Sequence, residues 1–461
     1  MVDEALKSDD ATEDDFSLAS HLFDDVLDAV EDGDAETLSA LLDPLHPADL
    51  ADLLEQIDVR DRRALMELWA DGIDGEVLSE LDDNLREEII AQLPETDLAE
   101  AVRALESDDV VDLIEDLDED QQASILKVLD PPDRAAVEQA LAFPEYSAGR
   151  LMQVEVARVP SAWTVGETID YLRSGANLPE QFYHVILVDP RMKPTGYVTL
   201  GRILSSPRET PLESLREDSF RTFSVEDGQE AVAYAFNQYH LISAPVVDLD
   251  DRLVGVITID DAMEVLDDEH EEDIMRLAGI TGETEVSDSI RATTRRRFPW
   301  LAINLFTSIL ASMVIALFEG TIESVVALAI LMPIVASMGG NAGTQSLTVA
   351  VRAIATRDLT GSNVWRVIRR EVAVGAINGL LFAVIMGIVG VIWFGSPMLG
   401  VVIALAMVVN LVVAGLAGTA IPVVLEKLKV DPALASGAFV TTVTDIVGFF
   451  AFLGLAAVML L

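Results

Sequence analysis

The sequence predicts a multidomain membrane protein with three parts: a superhelical α-helical N domain, an α/β domain made by tandem duplication, and a five-helix transmembrane domain. Three observations carry this prediction. The formal net charge of −49 is unevenly spread: residues 297–461 hold 8 Lys/Arg against 7 Asp/Glu, so almost all the excess acid lies ahead of them. Two stretches, 184–200 and 243–259, align without a gap at a spacing of 59 residues. Five apolar segments follow, each long enough to cross a bilayer, which takes about 20 residues.

The acidic part excludes nucleic acid as a partner, since phosphate binding needs the opposite charge. So much like charge opposes the compact state in dilute buffer, and concentrated salt relieves it. The composition therefore points to a halophilic host. There is no cysteine, which rules out disulfides and thiolate metal sites. The five histidines, His21, His46, His184, His240 and His270, show no metal-ligand spacing. Residues 1–17 read as a disordered acidic tail with no apolar stretch that would make a signal peptide.

Residues 18–142 carry apolar positions at three- and four-residue spacing, the mark of amphipathic helices. LADLLEQI (50–57), DLAEAVRAL (97–105) and VVDLIEDL (110–117) are related units. Short helices that recur this way bury their apolar faces by stacking into a superhelix. HPADLADLLE (46–55) reads as a helix start, with proline early and acids in the first turn.

After residue 142 the period changes. In the duplicated stretches Asp189 matches Asp248, Gly196 matches Gly255, and Thr199 matches Thr258. Each copy predicts a strand, an Asp-led turn, a second strand and a helix. This unit resembles a tandem CBS pair, a regulatory module, with repeats over 143–212 and 213–266. The resemblance implies that Thr258 and Asp261 stand where a nucleotide ribose is often held. The first copy departs, with Arg202 in place of the acid.

A connecting helix is expected over 267–297. It continues a densely acidic stretch, 260–280, that contains Asp261, Glu264, Glu269, Glu272 and Asp273. Two readings stay open from the residues: a solvated helix face, or a cation-sensing helix whose crowded acids need ions between them.

The apolar segments run over 298–318, 325–355, 372–394, 399–424 and 434–461. Arginines at 295–297, 352, 357, 366, 369 and 370, with Lys427 and Lys429, flank alternate ends of the spans, while 319–324 and 395–398 carry none. This pattern predicts a cytoplasmic N-terminus and an outside C-terminus. Asp445 is the ionisable residue expected at bilayer depth, where a carboxylate must face protein or water. Thr441 lies one turn before it on the same face, so the pair would suit a cation path; a structural hydrogen bond to a neighbouring helix is the alternative. The stretch PIVASMGGNAGTQS (333–346) is ill suited to a smooth apolar helix. It offers the Gly339–Gly343 packing spacing together with Asn341, Thr344 and Gln345.

GGNAGTQS (339–346) together with DPALASGAFVTTVTD (431–445) resembles the MgtE family of magnesium channels, and the order of all the parts agrees over nearly the whole chain. That resemblance implies a homodimer in the plasma membrane with a pore between the two membrane domains. The ion path would include Asp445, the Thr441 backbone carbonyl, Asn341, Gly340 and Thr344. Gly437 and Ala438 stand where some members have Asn-Pro. Regulatory Mg²⁺ would bind Asp261, Glu264, Glu269, Glu272 and Asp273 and close the pore, and the CBS domains would admit ATP or another adenine nucleotide. Glu264 replaces an Asp of some relatives, and the N-domain sensing acids are not assignable from sequence. Mg²⁺ sheds water reluctantly, so its pore should hold a hydrated ion through carboxylates and carbonyls. Two rivals stand beside this reading: a transporter of Co²⁺ or Mn²⁺, and a membrane-anchored CBS sensor. No nucleophile–base pair, Walker loop or dinucleotide turn suggests an enzyme.

Overall fold

The computed structural model describes residues 20–69, 72–115, 117, 119–174, 178–179, 181–217, 220–280, 290–359, 361–434 and 437–461. The expected tail over 1–17 and residues 281–289 of the expected connecting helix lie outside the described residues. The chain divides into two compact units, Met1–Asp268 and Glu269–Leu461.

The first unit begins with a run of short helices: α1 (Ser20–Asp32), α2 (Ala35–Leu42), α3 (Pro47–Gln56), α4 (Val59–Leu68), α5 (Gly75–Ser79), α6 (Asp83–Ile90), α7 (Glu95–Ala104), α8 (Ser107–Glu115), α9 (Glu119–Val128) and α10 (Pro131–Ala140). None is long enough to be stable alone in water. They share one core, with Leu38, Leu53, Leu65, Leu78, Ile89 and Ile114 buried in it. Several of the acids serve helix starts. Asp34, Asp58 and Asp74 accept backbone N–H groups from Thr37 at 3.1 Å, Arg60 at 2.8 Å and Val77 at 3.0 Å. Buried Arg62 closes the end of α3 by donating to the carbonyls of Leu54 at 2.8 Å and Ile57 at 3.0 Å.

The duplicated region follows: α11 (Ala148–Leu151), β1 (Arg158–Pro160), α12 (Val165–Leu172), β2 (His184–Val188), β3 (Pro194–Thr199), α13 (Leu200–Ser205), β4 (Phe223–Ser224), α14 (Gln229–Tyr239), β5 (Ser243–Val247), β6 (Leu253–Thr258) and α15 (Ile259–Leu277). Each repeat is a three-stranded sheet, β1-β2-β3 or β4-β5-β6, with a parallel then an antiparallel pairing. The 59-residue periodicity survives in the register. His184 pairs with Thr199 as Ser243 pairs with Thr258, and Leu187 pairs with Gly196 as Val246 pairs with Gly255. Both turns are closed by their aspartate. Asp189 accepts from the N–H of Arg191 at 2.7 Å, and Asp248 from that of Asp250 at 2.9 Å. Left-handed residues fall at the equivalent positions Met192 and Asp251. His184 Nδ1 lies 2.7 Å from Ser243 Oγ, its own counterpart 59 residues on, so a pseudo-twofold axis passes between them.

The start of α8 is fastened to the segment 153–155, which in turn pairs with the second repeat. Ser107 Oγ donates to Glu155 Oε2 at 2.7 Å and accepts from the N–H of Val154 at 2.9 Å. Gln153 donates to Glu106 and pairs with Val256 of β6.

The second unit contains α16 (Ile290–Ala316), α17 (Glu319–Ser324), α18 (Ala327–Ala355), α19 (Val364–Phe394), α20 (Pro397–Lys427) and α21 (Gly437–Met459). Five of these, all but α17, are long and apolar enough to cross a membrane. The spans start and end near the expected positions, but the helices α16 and α19 each begin eight residues earlier. α20 is the central helix, packed against α18, α19 and α21. Outward faces carry Leu301, Leu305, Phe306, Leu380, Leu381 and Ile388, a surface made for lipid.

Among the described residues the connecting region is not one helix, since residues 278–280 leave it. α15 runs on from the second repeat to Leu277, and the next helix begins at Ile290. Nor does the glycine stretch interrupt α18, which is continuous over 29 residues despite Pro333. The reason lies in its packing: Gly339, Gly340 and Gly343 are buried against α20 and α21, so they let those helices approach closely where glycine would otherwise only weaken the helix.

Candidate functional site

The second and fifth spans meet through residues without bulk. A Cβ on Gly340 would lie 3.2 Å from Thr441 Cγ2, one on Gly343 would lie 2.6 Å from Val440 Cγ1, and one on Gly437 would lie 3.8 Å from Thr344 Oγ1. Gly340, Thr344 and Thr441, three of the residues expected to line the path, are therefore brought together. Asn341 and Thr344 are exposed on α18, and Thr441 and Asp445 are half-buried on α21. The hydroxyls are turned into their own helices: Thr344 donates to the Gly340 carbonyl at 3.0 Å and Thr441 to that of Ala438 at 3.2 Å. The Thr441 carbonyl accepts from Thr444 at 2.9 Å. Asp445 has no hydrogen bond or ion pair among the described residues, so no neighbouring helix in its own chain accounts for it.

A second carboxylate sits inside the bundle. Glu371, in the second turn of α19, is buried and accepts from Ser346 Oγ of α18 at 3.1 Å. The sequence reading missed it because the third apolar run begins one residue later.

At one end of the spans, α15 closes on the loop before α21. Arg276 donates to Glu272 one turn back and to Asp431, and Asp431 in turn caps the following 3₁₀ turn by accepting from the Ala433 N–H at 2.8 Å. Leu277 packs beside Leu347, Val351, Ala433 and Val440. The end of α15 is thus tied to both helices that carry the candidate path.

The five acids of α15 do not converge. At 1.5 Å per residue, Asp261 and Asp273 are separated by about 18 Å along the helix. Among the described residues no three carboxylates form a finished metal cage. The helix instead divides them: Asp261 and Glu264 lie in the first unit, and Glu269, Glu272 and Asp273 in the second.

In the first unit Asp261 and Glu264 meet acids of α8 that sequence did not single out. Burial, then the charges of Asp261 and Asp109, push Asp108 well above the ordinary carboxylate range. Burial, then Asp261, Glu106 and Asp112, push Asp109 up to about 7. Asp261 is pushed up to about 6, mainly by burial, against the opposing hydrogen bond from Thr258. Burial of its carboxyl, then Asp112 and Asp268, push Glu264 up to about 8, although the residue as a whole stays exposed and water screens part of the effect. Arg86 stands nearby, paired with Asp112 at 2.9 Å. The signal for these acids was faint: SDDVVD opens a helix whose valines are buried, and nothing in the sequence says which element its acids face.

Thr258 and Asp261, the expected ribose pair, bond to each other. Thr258 Oγ1 donates to Asp261 Oδ2 at 2.6 Å, and the Thr258 N–H reaches the same oxygen at 3.2 Å, which caps the start of α15. In the first repeat Arg202 donates to the Leu215 carbonyl at 3.0 Å and pairs with Glu217 at 3.2 Å.

Three family models match the chain: a divalent cation transporter domain over residues 332–455, the MgtE intracellular N domain over 45–146, and a CBS domain over 216–268. The magnesium transporter MgtE of Thermus thermophilus is 32% identical over 443 residues, covering 94% of this chain and 97% of the relative. The chain belongs to the MgtE family. The magnesium transporter MgtE of Enterococcus faecalis is 34% identical over 317 residues, covering 69% of this chain and 70% of the relative. A solved cytosolic domain of the Mg²⁺ channel MgtE in complex with ATP is also similar, at 28% identity and a TM-score of 0.49, covering 53% of this chain and 99% of that one. The chain is thus a multi-pass membrane protein of a magnesium transporter family, not an enzyme.

Proposed function

We propose that this chain is a homodimeric Mg²⁺ channel of the plasma membrane, closed by cytoplasmic Mg²⁺. The observation that carries the reading is Asp445, a half-buried carboxylate in mid-span with no partner among the described residues of its own chain, one turn beyond Thr441, which meets Gly340 of α18. Two copies facing each other would offset the cost of bringing a hydrated dication into the membrane. The exposed Asn341 and Thr344 of α18 add polar groups to the same path. The flanking arginines orient the N-terminus to the cytoplasm and the C-terminus outside.

Gating follows from the acids. Mg²⁺ keeps most of its water and needs few protein ligands, so a loose array of carboxylates suits it better than a closed cage does. When cytoplasmic Mg²⁺ is high, ions bridge Asp108, Asp109, Asp261 and Glu264, and Glu269, Glu272 and Asp273 bind further ions along the same helix. When it falls, acid–acid repulsion separates the elements and the path opens, a shift between two states of unequal affinity. In a halophilic host the ambient K⁺ screens this repulsion and sets the working range. An adenine nucleotide at the second repeat would use Thr258 and Asp261, at the expense of their mutual bond.

The test is Mg²⁺ entry into proteoliposomes loaded with a magnesium dye at high salt, comparing wild type with Asp445→Asn. Rapid entry that is lost in an intact mutant dimer supports the path; equal entry in both removes Asp445 from it. Competition by Co²⁺ and Mn²⁺ ranks the transported ions. No entry even from a variant lacking the cytosolic domains would favour a membrane-anchored sensor.

A further inference from the structure

We propose that Asn410 is a positioning residue that locks the two path-lining helices in register and so sets which hydrated dication passes. The inference rests on the reading that ions pass Asn341 and Asp445. Asn410 lies midway along α20 and is fully buried, so it touches no ion itself. Its Nδ2 donates to the Val335 carbonyl of α18 at 2.8 Å. Its Oδ1 is buried with no hydrogen bond among the described residues.

The amide is wedged between two glycines on different helices. A Cβ on Gly339 would fall 2.2 Å from Nδ2, and one on Gly448 of α21 would fall 2.8 Å from it. Gly339 is two residues from Asn341, and Gly448 is one turn from Asp445. One side chain therefore touches the backbone of both walls close to their polar residues.

Stability alone does not explain an asparagine here. Its neighbours on α20, Ala406, Met407, Leu411 and Ala414, are buried and apolar, and an unpaired buried carbonyl is costly. Leucine has the same branched outline in a bulkier side chain and would bring no polar atom of its own to leave unsatisfied. What leucine lacks is the directional bond to Val335, and interhelical hydrogen bonds of this kind fix how membrane helices sit against each other. Mg²⁺ demands near-ideal octahedral geometry, so a small slip of Asn341 against Asp445 would favour a more tolerant dication.

The experiment compares Mg²⁺ and Co²⁺ entry into dye-loaded proteoliposomes carrying the full chain, normalised to folded protein by size exclusion. Asn410→Leu removes the donor and keeps the branched outline with added bulk, and Gly448→Ala keeps Asn410 but fills its slot. Both should lower the Mg²⁺-to-Co²⁺ entry ratio about threefold or more. Should Asn410→Leu fail to fold, Asn410→Ser, which leaves room but cannot reach Val335, carries the same expectation. A purely structural role would lower both fluxes alike; an unchanged ratio in folded variants overturns the proposal. Asp445→Asn, run in parallel, separates the two levels. Entry through it equal to wild type sinks the path itself, whereas its loss beside an unchanged ratio in the Asn410 variants sinks only the positioning role.

Discussion

Raising the pH from 6 to 8 should loosen α8 from α15, and Mg²⁺ should restore the contact. In the packed arrangement burial, then neighbouring acids, lift Asp109 to about 7, and burial lifts Asp261 to about 6. Separated, both return to about 4. The packed state therefore holds protons that the separated state has already released. Its contribution to stability is complete below about pH 4 and is lost as the pH climbs through 6 and 7. Between pH 6 and 8 the loss is roughly 1.4 kcal/mol for Asp109 and roughly 0.4 kcal/mol for Asp261, with exposed Glu264 left out because water screens it. Together this is about a twentyfold change in the packing equilibrium. The chain has no cysteine, so spin labels can be placed at will. Labels at the exposed positions Ala135 and Leu249 would report the distance between the helical region and the second repeat in the full chain at high salt. Without Mg²⁺ the short-distance population should dominate at pH 6, shrink at pH 8, and return when Mg²⁺ is added. A distribution that ignores pH, or tightens as pH rises, would refute the reasoning.

Removing the tie between α15 and the loop before α21, by Arg276→Ala or Asp431→Asn, should leave Mg²⁺ entry partly open at cytoplasmic Mg²⁺ that closes wild type. Combining the two should add little, a coupling of about 0.5–3 kcal/mol in a double-mutant cycle read from inhibition curves. Gly343→Ala places a methyl 2.6 Å from Val440 Cγ1 and should force α18 from α21, costing about 1–3 kcal/mol and most of the flux, measured by melting and dye entry. Ser107→Ala strands the Val154 N–H and a Glu155 oxygen, and should lower the first thermal transition of the full chain by an amount equivalent to about 1–3 kcal/mol.

The elements were legible where the chain repeats itself or must meet lipid. The 59-residue spacing forced a matching register in both sheets, because residues that face a core on a pleated strand cannot slip by one. The spans followed from length and hydropathy alone. What stayed hidden was partnership. Asp108 and Asp109 are two acids among 79, and only the fold of the helical region brings them against Asp261. Asn410 reads as one polar residue in an apolar run until its two glycine neighbours, on other helices, are placed beside it. The stretch 333–346, ill suited to a smooth apolar helix, stays helical for a related reason: glycine weakens an exposed helix, but a packed one uses its small size, as the Gly339–Gly343 spacing suggests.

α15 passes unbroken from the second repeat to Leu277. A helix of 19 residues is a rod of about 28 Å that fixes not only a separation but a bearing, since each residue turns it by about 100°. Glu272 and Arg276, four residues apart in the second unit, therefore face nearly the same compass direction, which lets them pair. Adding one residue between them would swing Arg276 through more than a quarter circle, away from both Glu272 and Asp431. This stretch of helix tolerates change only in near-whole turns, and its length in related chains should differ by three, four or seven residues rather than by one or two.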